Sequence, residues 1–309
     1  MNPEQTRSLI TICLMAAFAD GHQDPREREH VRRVAESLSA QAGIDFMPLY
    51  QDVLLKRISL EQAVEALGSP ELRQLAFEMA VGVCDADGVH DAGETAFLDR
   101  LSGVLGLGRV ESAAIVRDAD ALAEAPVDKP IPEIPAAGPD QAELDKMILN
   151  AAILNGALEL LPESLASMAI IPLQTRLVYR VGKAHGFELD RRHITDFLAT
   201  VGVGLTSQYV EQFGRKLVGG LLGKMLGRAG RTIGSEATGS AFSFATTYAL
   251  GHVAKRYYAD GRKLDAAALK TSFAQLADSA RGLQDRYAPE IAQRARTLDL
   301  KRLTAELRA

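Results

Sequence analysis

Asp20-Gly21-His22-Gln23-Asp24-Pro25-Arg26-Glu27 and Asp87-Gly88-Val89-His90-Asp91-Ala92-Gly93-Glu94 share the pattern D-G-x-x-D-x-x-E, 67 residues apart. Each copy closes an apolar stretch with helical spacing and opens another. The N-terminal part of the chain therefore reads as two related helix-turn-helix units packed into one bundle, with carboxylates at equivalent corners.

Local chemistry accounts for each turn in two ways. As caps, Gly21 and Gly88 supply the left-handed residue that ends a helix, Asp24 and Asp91 are N-caps, and Glu27 and Glu94 fall at the capping-box position. As ligands, Asp20, Asp24 and Glu27 in the first copy, and Asp85, Asp87, Asp91 and Glu94 in the second, would hold a hard divalent cation, Ca2+ or Mg2+, through carboxylate oxygens. Aligned on Gly88 as the sixth residue of an EF-hand loop, Glu94 is twelfth and Asp85, Asp87 and Asp91 are third, fifth and ninth. The first position is Val83, not an acid. The first copy fits less well, with Ala16 and Phe18 at positions one and three.

Working outward, Pro3 to Ala19 is predicted helical, with Leu9, Ile10, Cys13, Leu14, Ala17 and Phe18 on one face. Further helices are expected at Pro25 to Ala42, Met47 to Lys56, Ser59 to Leu67, Pro70 to Asp85, Glu94 to Leu105 and Val110 to Ala123. Pro70 after Ser69 is a strong start signal. Aromatic residues make up 6% of the chain, tryptophan is absent, and no stretch alternates long enough for a strand, so the expected class is all-α.

Ala125 to Asp140 holds five prolines in sixteen residues, which forbids a helix and marks a spacer. The expected division is an acidic helical domain at 1–122, a linker at 123–143 and a basic, glycine-rich helical domain at 144–309. Residues 1–140 carry 12 Lys/Arg against 24 Asp/Glu, a net of −12; residues 141–309 carry 23 against 16, a net of +7. Opposite signs point to different surroundings for the two halves, or to attraction between them.

Arg215 to Arg231 contains Arg215, Lys216, Lys224, Arg228 and Arg231 and no acid. On a helix its leucines form one arc and Gly219, Gly223, Gly227, Gly230 and Gly234 another, a GxxxG spacing that admits a second helix or a second copy of the chain at close range. The cations are expected to bind an anionic membrane surface at about 1 kcal/mol each. Ala237 to Ala254 is uncharged for eighteen residues but poor in leucine, a pattern commoner in buried helices than in spans. Met147 to Leu158 and Ser164 to Thr175, flanking Pro162, are too short to cross singly and suit an interfacial hairpin. The final stretch, Asp265 to Leu307, is amphipathic, with an interruption expected at Pro289.

The duplicated A-D-G-x-x-D-x-x-E, at Ala19 to Glu27 and Ala86 to Glu94, resembles the tellurite-resistance TerB family over roughly the first 120 residues. That resemblance implies an all-helical fold with clustered acidic residues proposed to bind metal, and a role in stress response or scaffolding. Ile171-Pro172, Arg176 to Arg180, Lys183 to Leu189 and Thr246 to Gly251 look like the YcjF-type family, with an EcsC-like general character, over about Leu144 to Arg262. This second resemblance implies a membrane-associated accessory role and, as a partner, an Era-like GTPase.

No catalytic constellation emerges. Gly223-Lys224 is followed by Met225 and lacks the first P-loop glycine, the six histidines show no HExxH spacing, and there is no G-x-S-x-G elbow. Cys13 and Cys84 lie in apolar stretches without metal spacing. Basic residues lack interleaved aromatics, so nucleic acid is not an expected partner. The N-terminus makes a poor signal peptide, placing the protein in the cytoplasm, at the inner membrane. The expectation is a non-enzymatic adaptor, with a fully soluble interaction protein or a metal-dependent hydrolase as alternatives.

Overall fold

The computed structural model of the chain describes residues 2–19, 31–32, 45–87, 91–123, 140–161, 164–201, 209–210, 213–214 and 236–308, with Asp87, 164–165, 236–239 and 308 described in their backbone alone. Among the described residues there is no strand, and the all-α class is observed. The chain folds as two compact units. The first comprises Met1–Glu124, Pro162–Met168 and Gly204–Glu236, and the second Ala125–Leu161, Ala169–Val203 and Ala237–Ala309. From beyond the proline-rich stretch, the described residues Ser164–Met168, Tyr209, Val210, Phe213 and Gly214 fall within the first unit.

The first unit is built on α1 (Pro3–Ala17) and α4 (Pro70–Cys84), which pack on each other. Around them lie α2 (Met47–Leu54), α3 (Leu60–Val64), α5 (Ala92–Leu105) and α6 (Arg109–Ala123). Hydrogen bonds local to each start place these helices. Asn2 and Gln5 form a capping box on α1, Ser59 and Gln62 another on α3, and the Ser69 hydroxyl accepts from Leu72 N–H ahead of α4. At the other end of α5, Gly106 adopts φ +69°, the left-handed stop that favours glycine.

The burial of α1 exceeds its predicted stripe. Every residue from Ser8 to Leu14 is buried, because α2, α3 and α4 enclose it on several sides. The helix α4 is likewise buried throughout Met79–Cys84. Here α8 (Ser164–Met168), from the second half of the chain, joins the core. A Cβ on Gly82 would come 3.0 Å from both Met168 Cε and Phe213 Cζ, and the Tyr209 hydroxyl donates to the Met168 carbonyl at 2.9 Å.

The second unit contains α7 (Gln141–Glu159), α9 (Ile170–Ala184), α10 (Arg191–Val201), α11 (Glu236–Ala259), α12 (Ala266–Thr297) and α13 (Leu300–Arg308). Its core gathers Ala152, Ile153, Ala157, Phe244, Ala245, Ala280 and Ile291. Small residues set the crossings. A Cβ on Gly251 of α11 would lie 2.7 Å from Ile148 Cγ2 of α7, and one on Gly156 would lie 3.3 Å from Phe244 Cβ. A Cβ on Gly182 of α9 would strike the Leu189 side chain and come 3.0 Å from the Tyr258 ring.

The uncharged run Ala237 to Ala254 lies within α11, where Phe244, Ala249, Leu250, Val253 and Ala254 are buried in the unit together with Ser243 and Thr247. Met147 to Leu158 lies within α7, and the run beginning at Ser164 is divided between α8 and α9 at Ala169. No described helix is long and apolar enough to cross a membrane. The expected break at Pro289 does not occur: α12 continues from Ala266 to Thr297. A proline inside a helix costs about 3 kcal/mol because the i−4 carbonyl, here Asp285, loses its donor. Pro289 faces solvent while Gln284 and Ile291 on either side of it are buried, so packing along the helix offsets that cost.

Candidate functional site

Among the described residues polar chemistry gathers in two places, one in each unit. In the first unit, α4 ends in a 3-10 turn, Asp85–Asp87, and α5 begins after Asp91. Asp85 is buried at the C-cap of α4. Asp91 is the N-cap of α5: its Oδ1 accepts from Glu94 N–H at 2.8 Å, and Glu94 Oε2 accepts from Asp91 N–H at 3.0 Å. Both residues thus take the capping geometry that the motif spacing allows. The side chain of Asp87 lies outside the described residues, as do Asp20, Asp24 and Glu27 of the first copy. Among the described residues no three His, Cys, Asp or Glu side chains come together as a metal-holding group.

One contact bears on the pairing of the two turns. A Cβ on Gly93 would come 2.5 Å from the carbonyl oxygen of Ala19, the residue directly before Asp20. Only glycine tolerates backbone at that range, so the first turn of α5 is seated against the chain at Ala19.

The proposed membrane-binding residues Arg215, Lys216, Lys224, Arg228 and Arg231, and the glycine stripe from Gly219 to Gly234, lie outside the described residues. Histidines within the described residues serve local structure. His193 pairs with Asp190 at the start of α10, and His185 Nδ1 contacts the Val181 carbonyl. His252 is held against the Tyr248 ring, where burial lowers its pKa.

In the second unit α7, α9 and α12 enclose a cleft of about 950 Å3. Its apolar lining is Leu144, Met147, Ile153, Leu154, Leu173 and Leu177. Four cations, Lys146, Arg176, Arg180 and Arg294, share it with Asp140, Glu143 and Glu290. Asp140 is committed to the α7 N-cap, its Oδ1 accepting from Ala142 N–H at 2.8 Å. The Arg176 side chain donates to the Leu307 carbonyl at 2.9 Å, tying α9 to α13. Burial, and then the neighbouring charge of Arg180, push the Arg176 guanidinium below its ordinary pKa.

At the cleft wall Asn155 is fully buried and donates to Thr247 Oγ1 at 2.9 Å, where Gln174 Nε2 also donates at 2.9 Å. Among the described residues nothing donates to Asn155 Oδ1. Turning the amide over only moves the deficit to its nitrogen, and an unsatisfied buried polar atom costs about 1–3 kcal/mol. Sequence reading missed this cleft. The only trace of it was Arg176 and Arg180, one helical turn apart on α9.

The described residues are all helical and divide between two compact units. Residues 7–117 match the family described as tellurite resistance protein TerB, so the chain carries a TerB domain over that stretch. No curated protein and no solved structure matches the chain.

Proposed function

We propose that the protein is a non-enzymatic adaptor of a stress-response type, in which the TerB domain binds a divalent cation, Ca2+ or Mg2+, where its two acidic turns meet. The observation that supports this reading is the close approach of Gly93 to the carbonyl of Ala19, the residue before Asp20, which brings the start of α5 to the chain segment that leads into the other D-G-x-x-D-x-x-E motif. Capping employs Oδ1 of Asp91 and Oε2 of Glu94, and a carboxylate offers about four lone-pair sites, so a capping carboxylate can also face a cation. Asp20, Asp24, Glu27, Asp85 and Asp87 would complete the oxygen set.

The basic segment bearing Arg215, Lys216, Lys224, Arg228 and Arg231 then attaches the chain to the anionic cytoplasmic face of the inner membrane, where it engages a protein partner such as a GTPase. Calorimetric titration of the full chain with Ca2+ and Mg2+ tests the first part. Binding that is lost in Asp24→Asn combined with Asp91→Asn supports it, and absence of heat and of any thermal shift at millimolar cation refutes it. Flotation with anionic and neutral vesicles at low and high salt tests the second part: salt-sensitive flotation with anionic lipid alone is expected.

The Asp91–Glu94 capping box favours a second reading, in which both turns only shape the bundle and the domain is a protein-interaction module without metal. It predicts full partner binding in chelator.

A further inference from the structure

We propose that the cleft between α7, α9 and α12 binds one single-chain anionic amphiphile, its acyl chain on the aliphatic lining and its head group at Arg176 and Arg180. This goes beyond the adaptor reading and does not depend on attachment to a bilayer. The cleft lies within the range of small-ligand sites, roughly 300–1,000 Å3. Its lining combines six aliphatic side chains with cations, an amphipathic surface that suits a ligand with one apolar and one anionic end. Among the described residues no aromatic ring lines it, so a nucleobase or other flat ligand would find no stacking partner there.

The charges are distributed in a way that selects the head group. Of the three carboxylates in the cleft, Asp140 and Glu143 belong to the α7 N-terminus and Glu290 to α12, whereas Arg176 and Arg180 stand one turn apart on α9, where the charge of Arg180 adds to that of Arg176. An anion between two such guanidinium groups makes charge-assisted hydrogen bonds and relieves their mutual repulsion. Asn155 supplies the independent sign of a ligand. It is fully buried, it lines the cleft, and its Oδ1 has no donor among the described residues. A phosphate monoester O–H or a glycerol hydroxyl would donate to that oxygen, while a carboxylate, ionised between the two guanidinium groups, has no proton to give it.

The test uses the full chain and displacement of a fluorescent fatty acid below the micelle threshold, with native mass spectrometry for stoichiometry. Probes are oleate, oleoyl lysophosphatidate, oleyl alcohol and inorganic phosphate. One amphiphile per chain is expected. Oleate and lysophosphatidate should both bind more tightly than the neutral alcohol, and the tighter of the two identifies a carboxylate or a phosphate head group. Arg180→Glu, at an exposed position, should weaken binding at least about tenfold with unchanged melting. Asn150→Trp, also exposed, should block the cleft without altering charge. Reversing the Arg215 to Arg231 cations should leave binding intact, which separates this site from membrane attachment. The proposal is overturned if no probe binds, if oleyl alcohol binds as well as oleate and Arg180→Glu has no effect, or if phosphate alone competes as well as lysophosphatidate.

Discussion

Asp91 and Glu94 hold each other's backbone: Asp91 Oδ1 accepts the Glu94 N–H at 2.8 Å while Glu94 Oε2 accepts the Asp91 N–H at 3.0 Å. The reciprocal pair starts α5 and seats Gly93 between its members, against Ala19. Asp91→Ala should therefore lower stability by about 1 kcal/mol, whereas Asp91→Asn, which keeps a capping oxygen, should be nearly neutral. Urea denaturation of both variants checks this. If Ca2+ or Mg2+ raises the melting temperature of the wild type, Asp91→Asn should reduce that rise while leaving cation-free stability in place, which separates ligand from cap.

Glycines in this protein divide by what surrounds them. Gly251→Ala would bring a methyl within 2.7 Å of Ile148 Cγ2 and should cost about 1–3 kcal/mol through overpacking at the α7–α11 crossing. Gly103→Ala in α5 and Gly282→Ala in α12 meet nothing within 4 Å. Each should stabilise by about 0.5–1 kcal/mol through helix propensity and a less mobile unfolded chain. Thermal melts of the three variants should rank in that order, and a stabilising Gly251→Ala would show that the crossing is looser than described.

Thr247 accepts from both Asn155 and Gln174 in the interior of the second unit. Thr247→Val keeps shape and volume but removes the acceptor that Asn155 and Gln174 share, so a loss of about 1–3 kcal/mol is expected. Thr247→Ser retains the hydroxyl and should cost less, a difference readable in urea midpoints.

Burial pushes the Cys13 thiol up to about 12. An unfolded thiol ionises near ~8.5, so above that pH the unfolded chain releases a proton that the folded chain keeps. Stability contributed by the neutral thiol is therefore complete below about pH 8.5, and declines as pH rises toward about 12, by up to about 1.4 kcal/mol per pH unit. Denaturation at about pH 8 and about pH 10 should show the decline, and Cys13→Ala should flatten it. The native thiol should also resist alkylation at neutral pH until the domain opens.

Much of the first unit was legible in the sequence because its signals are local. Pro70 after Ser69, the Asp91–Glu94 spacing and the stop at Gly106 act within a few residues, and the helices begin and end there. The α1 stripe was read correctly but too narrowly, since periodicity reports which side is most apolar and not how many neighbours a helix has. Pro289 misled for the converse reason: a local breaker is overruled when the residues around it are buried on one continuous helix. The residues 215–231, with the densest basic and glycine signals, lie outside the described structure, while close packing is visible instead at Gly156, Gly182 and Gly251. Gly156 and Gly251 stand in the uncharged runs Met147 to Leu158 and Ala237 to Ala254, and nothing in those runs marks them as the points of crossing.

By itself the sequence determined the all-α class, the paired acidic turns and most helix starts, because caps, prolines and 3.6-residue periodicity act over one or two turns. Only the tertiary structure decided that Ser164–Met168, Tyr209 and Phe213 join the first unit, and that Arg176, Arg180 and Asn155 line one cleft. Those facts rest on contacts such as Asn155 with Thr247 and Gln174 with Thr247, 92 and 73 residues apart. Such pairs leave no pattern in the chain, since what joins them is the packing of whole helices.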